Sequence, residues 1–170
     1  IVLAVRLQGE YDKLVDLYTK ELGRVEARVV SGRRISSKLA SHFNLGNRVL
    51  VRLVYKNQFT VTDVLEEEVV FSKLKNSVLA LRVANLIFLL RSLVPMAAPD
   101  LNLWHRLIAS FRARSFDFKI FLKILGYDIL LARCDDCDSS RIHSFLVPEQ
   151  VFVCEDCGGR VGEREIILVN

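Results

Sequence analysis

The stretch GRVEARV, residues 23–29, decides how the chain begins to fold. Its apolar side chains Val25, Ala27 and Val29 alternate with charged ones, and a period of two residues is typical of a strand with one buried face. Four further apolar runs with strand character lie at residues 1–7, 14–18, 48–55 and 58–65. Five short strands with a break after the third favour a small closed barrel such as an OB-fold.

The break between the third and fourth strands and the fourth strand itself carry two further expectations. Residues 36–43 suit either one short helix or an irregular loop. In the fourth strand, the alternation predicts an inner face, and its members are Val49, Val51, Leu53 and Tyr55.

The acidic run Glu66–Glu68 marks a change of composition and predicts a domain boundary, with residues 1–68 as the barrel and 69–170 as a second domain. The same run suits the N-terminus of a solvated helix, where acidic groups complement the helix dipole. Beyond it, apolar residues recur every three or four positions, which predicts three helices and an α+β chain. The predicted apolar stripes are Phe71, Leu74, Val78 and Leu81; Leu101, Trp104, Ile108 and Phe111; and Phe118, Phe121, Leu122 and Leu125. We expect Ser115 to cap the third helix and Gly126 to end it.

Two CxxC pairs, Cys134–Cys137 and Cys154–Cys157, contain all four cysteines of the chain and have sixteen residues between them. Four thiolates at this spacing close a tetrahedral Zn²⁺ site between two tight turns. The pattern predicts a structural zinc ribbon over residues 133–160, inserted in the helical domain. A fully thiolate site leaves no open position for a catalytic water.

Two other uses of the cysteines stay open. A pair of disulfides would require an oxidising compartment, and no signal sequence is visible in the chain. A redox CxxC would normally open a helix after a strand and would not come paired with a second one.

The net charge of +4 is unevenly distributed. Residues 24–56 hold eight basic groups against one acid, residues 71–132 hold nine against three, and the ribbon holds three against six. A polyanion would be drawn to the barrel and the helices rather than to the ribbon. The residues predicted to bind nucleic acid are Arg24, Arg28, Arg33, Arg34, Lys38, Arg48 and Arg52. The aromatic residues Phe43, Tyr55 and Phe59 could stack on bases but suit a barrel core equally well.

Three separate regions resemble the RecO family of bacterial recombination mediators. Residues 9–24, which contain GEYDKLV and LYTKELGR, are similar to the hairpin of its N-terminal barrel, and GRRISSKL at 32–39 is similar to its basic segment. Residues 118–127, with Arg133 and Cys134, resemble its helix, its Leu-Gly-Tyr turn and the start of a four-cysteine module. The resemblance covers most of the chain, although Ser36 stands where members often carry Lys or Arg.

The resemblance implies a non-enzymatic DNA repair and recombination protein that binds single- and double-stranded DNA and anneals complementary strands. It would act with RecR and with single-stranded DNA-binding protein (SSB) so that RecA can load. It would be cytoplasmic and associated with the bacterial nucleoid, with no membrane partner. The helical domain would take the acidic SSB tail, and the candidate basic residues for this contact are Arg112, Arg114, Lys119 and Lys123.

An RNA-binding accessory protein of translation or transcription, built from an OB-fold and a zinc ribbon, is the alternative. Catalysis finds little support, because the three histidines are scattered and the chain has no phosphate-binding glycine loop. We therefore predict no catalytic residue.

Overall fold

The computed structural model describes residues 1–31, 39–68, 77–159 and 166–169. The chain divides into two compact units, Ile1–Phe88 with Pro95–Leu101 and Leu89–Val94 with Asn102–Asn170. The domain boundary expected after residue 68 stays a prediction. The elements are β1 (Val2–Gln8), β2 (Asp12–Thr19), β3 (Gly23–Val29), β4 (Arg48–Tyr55), β5 (Phe59–Glu68), α1 (Ser77–Leu93), α2 (Leu101–Ala113), α3 (Phe118–Ile124), β6 (Ser144–Leu146), β7 (Val151–Val153), α4 (Glu155–Gly158) and β8 (Ile166–Leu168).

The first five strands form one sheet in the order β1-β2-β3-β5-β4. Strand β5 runs parallel to β3 and antiparallel to β4, and the other pairs are antiparallel. Backbone bonds join β1 to the residues just before β4: the Val2 N–H donates to the Asn47 carbonyl at 2.9 Å, and the Gly46 N–H donates to the Val2 carbonyl at 2.8 Å. These bonds link the two ends of the sheet order, so the five strands form the predicted OB-fold barrel.

The barrel core confirms the alternation that was read from residues 23–29. Val25, Ala27 and Val29 are all buried, and they pack in one cluster with side chains of the neighbouring strands. Between β3 and β4, a single 3₁₀ turn occupies Ala40–His42, while residues 36–38 of the segment predicted as helix or loop lie outside the described residues. Burial of alternate residues on β3 fixes the register of this strand, because a shift by one residue would expose its apolar face.

A short segment after α1 covers one end of the outer face of β2 and β3. The Ala97 N–H donates to the Arg24 carbonyl at 2.8 Å, and the Tyr18 hydroxyl donates to the Asp100 carbonyl at 3.2 Å. Gly23 has a φ of +66°, and a Cβ there would lie 2.4 Å from the Ala98 carbonyl carbon. Only glycine therefore fits at this contact.

Helix α1 corrects the predicted apolar stripe. Phe71 and Leu74 lie outside the described residues, while Val78 and Leu81 are each 62% exposed. The buried side of the helix instead carries Val83, Leu86, Ile87, Leu89 and Leu90. The helix is apolar on nearly every side, so its sequence period does not determine which face is buried.

The predicted buried face is shifted in α2 and correct in α3. In α2, Leu101 is exposed, and the buried positions are Leu103, Leu107, Ser110 and Phe111. In α3, the predicted Phe118, Phe121 and Leu122 are buried. Asp117 rather than Ser115 is its N-cap, and the Asp117 carboxylate accepts a hydrogen bond from the Lys119 N–H at 3.0 Å. Gly126, with a φ of +96°, follows the helix as expected.

Candidate zinc centre and nucleic-acid interface

The four cysteines lie on two turns that face each other. The first pair occupies a tight turn in which the Cys134 N–H donates to the Ser139 carbonyl and the Asp138 N–H donates to the Cys134 carbonyl, both at 2.9 Å. Cys154 follows β7 directly and is the N-cap of α4, which places Cys157 one turn further on. Cys134, Cys154 and Cys157 are buried, whereas Cys137 is exposed.

The sulfur atoms fit a zinc ion. All four Sγ atoms lie within 4.8 Å of one another, and those of Cys137 and Cys154 are 3.6 Å apart. A tetrahedron with Zn–S bonds of about 2.3 Å has sulfur–sulfur edges of about 3.8 Å. The four thiols are free, so no disulfide competes for this arrangement. The cysteines would therefore hold Zn²⁺, which would cross-link the two turns.

The pKa values of the cysteine thiols also favour a bound cation. A hydrogen bond from the Cys154 backbone lowers the pKa of Cys134 to about 6. The pKa of Cys157 is raised, first by hydrogen bonding with the Cys154 sulfur and then by burial. Sulfurs this close cannot all ionise without a compensating cation, and a bound divalent metal supplies that charge.

The ribbon around this site is larger than the sequence predicted. Strands β6, β7 and β8 form one antiparallel sheet in the order β7-β6-β8. The C-terminal strand β8 therefore belongs to the cysteine module. Tyr127 of the Leu-Gly-Tyr turn packs edge-on against Phe145, which packs in turn against Phe152, with 5.0 Å between ring centroids in both pairs. These rings pack on one face of the sheet, while Leu146 and Val153 pack with Cys134, Cys154 and Cys157 on the other.

Ion pairs occupy the outer face of β1, β2 and β3. The Arg24 Nη2 lies 2.8 Å from the Asp16 Oδ2, and its Nε lies 3.1 Å from the Asp16 Oδ1. Asp16 is only 1% exposed, so this pair is largely shielded from water. Arg6 and Glu26 form a more exposed pair on the same face. The positive charge of Arg24 is thus already compensated inside the protein.

Arg28 is compensated in the same way by Asp12. The Arg28 Nε donates to the Asp12 Oδ2 at 2.6 Å, and the other Asp12 oxygen accepts the Ser31 N–H at 2.8 Å. The hydrogen bond from Ser31, followed by that from Arg28, lowers the pKa of Asp12. Asp12 therefore binds both β3 and the residue that precedes the basic segment. The predicted phosphate ligands Arg33, Arg34 and Lys38 of that segment lie outside the described residues.

Strand β4 carries basic residues of a different kind. Arg52 and Lys56 are exposed, and no carboxylate of the described residues forms an ion pair with either. Leu50 and Val54, 60% and 51% exposed, lie on the same side of the strand. We call Leu50, Arg52, Val54 and Lys56 the β4 face. Arg48, also on β4, is half-buried and lies opposite Glu68 in the register.

The three aromatic residues considered for base stacking differ in their burial. Phe43 is buried in the barrel core, and Phe59 is half-buried against it. Tyr55, expected on the inner face of β4, is instead 65% exposed and meets Phe59 in an edge-to-face contact with 5.0 Å between ring centroids. The inward alternation reaches Tyr55 only at the last residue of the strand, where the core no longer covers it. Lys56 was not among the predicted nucleic-acid ligands, and Tyr55 was a stacking candidate that suited the barrel core equally well.

The basic residues expected to bind a partner all lie on or beside α2 and α3. Arg112, Arg114 and Lys119 are exposed, and within the described ranges no carboxylate pairs with them. Lys123 differs, because its Nζ lies 2.9 Å from the Asp128 Oδ2. Three of the four therefore form no ion pair with a carboxylate in the part of the chain that the structure describes.

A closed five-stranded OB-fold, followed by helices and a four-cysteine ribbon, defines the architecture of this chain. Residues 1–72 match the family model described as recombination protein O N terminal. The N-terminal domain of this chain is therefore similar to that of the RecO family, whose description places it in DNA recombination. None of the curated proteins compared with the chain matches it. Among the described residues, no helix is long and apolar enough to cross a membrane.

Proposed function

We propose that the protein is a non-enzymatic recombination mediator that binds single- and double-stranded DNA and anneals complementary strands. The observation that carries this proposal is the match of residues 1–72 to the N-terminal domain of recombination protein O. In the same proposal, the protein acts at the bacterial nucleoid with RecR and SSB and helps to load RecA.

Phosphate binding falls to two groups of residues in this proposal. Arg33, Arg34 and Lys38 are supported by the resemblance of their segment, and Arg52 and Lys56 by their exposed, uncompensated charge on the β4 face. Lys and Arg that neutralise phosphates release counterions from DNA, so affinity should fall steeply as salt rises. Arg24 and Arg28 hold the sheet together through Asp16 and Asp12 and add little to DNA contact.

The other two parts of the chain have separate roles. Zinc in the ribbon is structural, because four thiolate ligands leave no open coordination position. The ribbon is acidic and would repel a polyanion. The acidic tail of SSB is proposed to bind the cluster of Arg112, Arg114 and Lys119, with Lys123 contributing least because Asp128 already pairs with it.

Strand annealing is the decisive test. Complementary oligonucleotides, each coated with SSB, are mixed with and without the protein, and duplex formation is followed by fluorescence energy transfer between end labels. Faster annealing at moderate salt is expected. No acceleration over SSB-coated DNA alone would contradict the mediator function.

A binding comparison separates DNA from RNA and locates the contact. Arg33→Ala with Arg34→Ala should weaken single-stranded DNA binding by about 1–3 kcal/mol, since one hydrogen bond to a charged group contributes roughly 1.5–3 kcal/mol. The matched control is Arg6→Ala with Glu26→Ala, which removes one exposed ion pair without changing the net charge. Preference for structured RNA over DNA would favour the translation or transcription role instead.

A further inference from the structure

We propose that Tyr55 is a base-stacking residue for single-stranded DNA, supported from behind by Phe59. This inference rests on the proposed DNA-binding function and adds a ligand class to it: the unpaired nucleobase rather than the phosphate. It predicts that part of the affinity for single strands depends on the bases.

The rings of Tyr55 and Phe59 contact each other and are not two isolated surface side chains. We call this pair of rings the platform. Tyr55 and Phe59 are cross-strand partners at the end of the β4–β5 hairpin. Phe59 is packed against the barrel core, and its ring contacts Tyr55 edge-to-face with 5.0 Å between centroids. Edge-to-face pairs stabilise the relative orientation of two aromatic rings. Tyr55 is thus held in place while 65% of it stays exposed.

The charges around this platform suit a nucleotide. Lys56 follows Tyr55 directly in the turn, and the turn residues 56–58 contain no acidic group, whereas Arg52 lies on the other side of β4, opposite Asp63 of β5. Proteins that bind single strands combine basic groups along the backbone with aromatic rings on which bases stack. Both parts are present within five residues of one strand and turn.

The position of the platform in the fold supports the same ligand. The turn that Tyr55 and Phe59 flank, Lys56–Gln58, joins β4 to β5, and this loop contributes to oligonucleotide binding in OB-folds. Strand β3 runs alongside, since Ala27 pairs with Phe59 in the parallel register, and β3 leads into the basic segment at 32–38. The platform therefore lies at the β3–β5 pair of the barrel. Duplex DNA hides its base faces, so only single strands can use the platform.

The test compares two oligonucleotides of equal length and charge, oligothymidylate and its abasic counterpart. We expect the wild-type protein to prefer oligothymidylate, and Tyr55→Ala to lose about tenfold in affinity for it, as for one stacked base. Affinity for the abasic strand should stay unchanged. Tyr55→Phe keeps the ring and should bind both strands as the wild type does. The control Leu7→Ala removes a similarly exposed apolar side chain from β1, outside the β4 face, and should change neither affinity.

Three results would overturn the inference. The first is a wild-type protein that binds both oligonucleotides equally. The second is a Tyr55→Ala variant that binds oligothymidylate as tightly as the wild type, or that loses the same factor on both strands. The third, binding of neither oligonucleotide by the wild-type protein, would also remove the proposed DNA-binding function, so failure of the stacking alone is distinguishable.

Discussion

Strands β3 and β4 carry basic residues at the same spacing but use them differently. Arg24 and Arg28 lie four residues apart on β3, as do Arg52 and Lys56 at the end of β4. On β3, carboxylates of β2 pair with both guanidinium groups. Arg52 and Lys56 have no such ion pair within the described residues. A count of basic residues thus overstates the charge that β3 can offer to DNA.

The difference teaches that a carboxylate on the neighbouring strand affects an arginine only where the two side chains form an ion pair. Strand β2 presents Asp12 and Asp16 on the face where β3 presents its arginines. On β4, the register partner of Arg52 is Asp63 of β5, but the Asp63 Oδ1 accepts a hydrogen bond from the Val64 N–H at 2.9 Å and forms no ion pair with Arg52 among the described residues. An arginine with a buried carboxylate contributes to stability, and one without it remains available to a ligand.

The largest expected effect is the loss of ribbon structure on substitution of a cysteine. It tests whether the β4 face binds DNA independently of the ribbon. Cys134→Ser removes one of four zinc ligands, so we expect zinc to be lost and the ribbon to lose its folded structure. DNA affinity should stay within about twofold of the wild type, because the proposed phosphate ligands lie elsewhere. Zinc content by atomic emission, amide NMR spectra and DNA titration measure the three outcomes. The control is Ser140→Ala in the same loop, and loss of DNA binding with a folded barrel would contradict the separation.

The next effect tests the β3 side of the comparison. Arg24→Ala leaves the Asp16 carboxylate buried without its guanidinium, which should lower the free energy of unfolding by about 3–5 kcal/mol. Arg52→Ala should change it by less than about 0.5 kcal/mol, as for an exposed residue without special contacts. Denaturant titration of both variants checks the contrast. Similar stability losses for the two would show that β3 and β4 do not differ in this way.

The third prediction tests the β4 side. Arg52→Ala with Lys56→Ala should weaken binding to single-stranded DNA and reduce the slope of log affinity against log salt by about 1.4, or about 0.7 for each lost phosphate contact. The charge-balanced control Arg6→Gln with Glu26→Gln should leave the slope unchanged. Fluorescence anisotropy over a salt series gives both slopes. An unaltered slope in the β4 variant would place the DNA contact on another surface.

The smallest effect concerns Asp12, which joins β3 to the start of the basic segment. Its pKa in the folded protein is lowered from 3.8, so its carboxylate adds stability above that pH and loses it as the pH falls through the folded value. Asp12→Asn should be slightly less stable than the wild type near neutral pH, and the difference should shrink as the pH falls below 3.8. Urea denaturation across that range measures it. A difference independent of pH would mean that the charge of Asp12 is not what stabilises this contact.

Much of the fold follows from local patterns. The alternation at Val25, Ala27 and Val29 predicted an inner face correctly, because a period of two leaves only two choices and the other face is charged. The same reasoning failed for α1, where Val78 and Leu81 are exposed, because a helix that is apolar on all sides has no preferred face in the sequence. For the site, the cysteine spacing predicted the cluster, but the exposure of Tyr55 did not follow from its place in the alternation.

The sequence alone determined the kinds of elements and the metal-ligand set, since strand period and CxxC spacing depend on residues close together in the chain. Only the tertiary structure decided which cationic side chains form an ion pair with a carboxylate of the same protein. Asp16 and Arg24 are eight residues apart in the chain, and the β2–β3 register brings them together on one buried face. That pairing depends on strand register and on where each carboxylate side chain lies, since Asp63 is opposite Arg52 without forming an ion pair among the described residues, and the spacing of charges along a single strand contains neither.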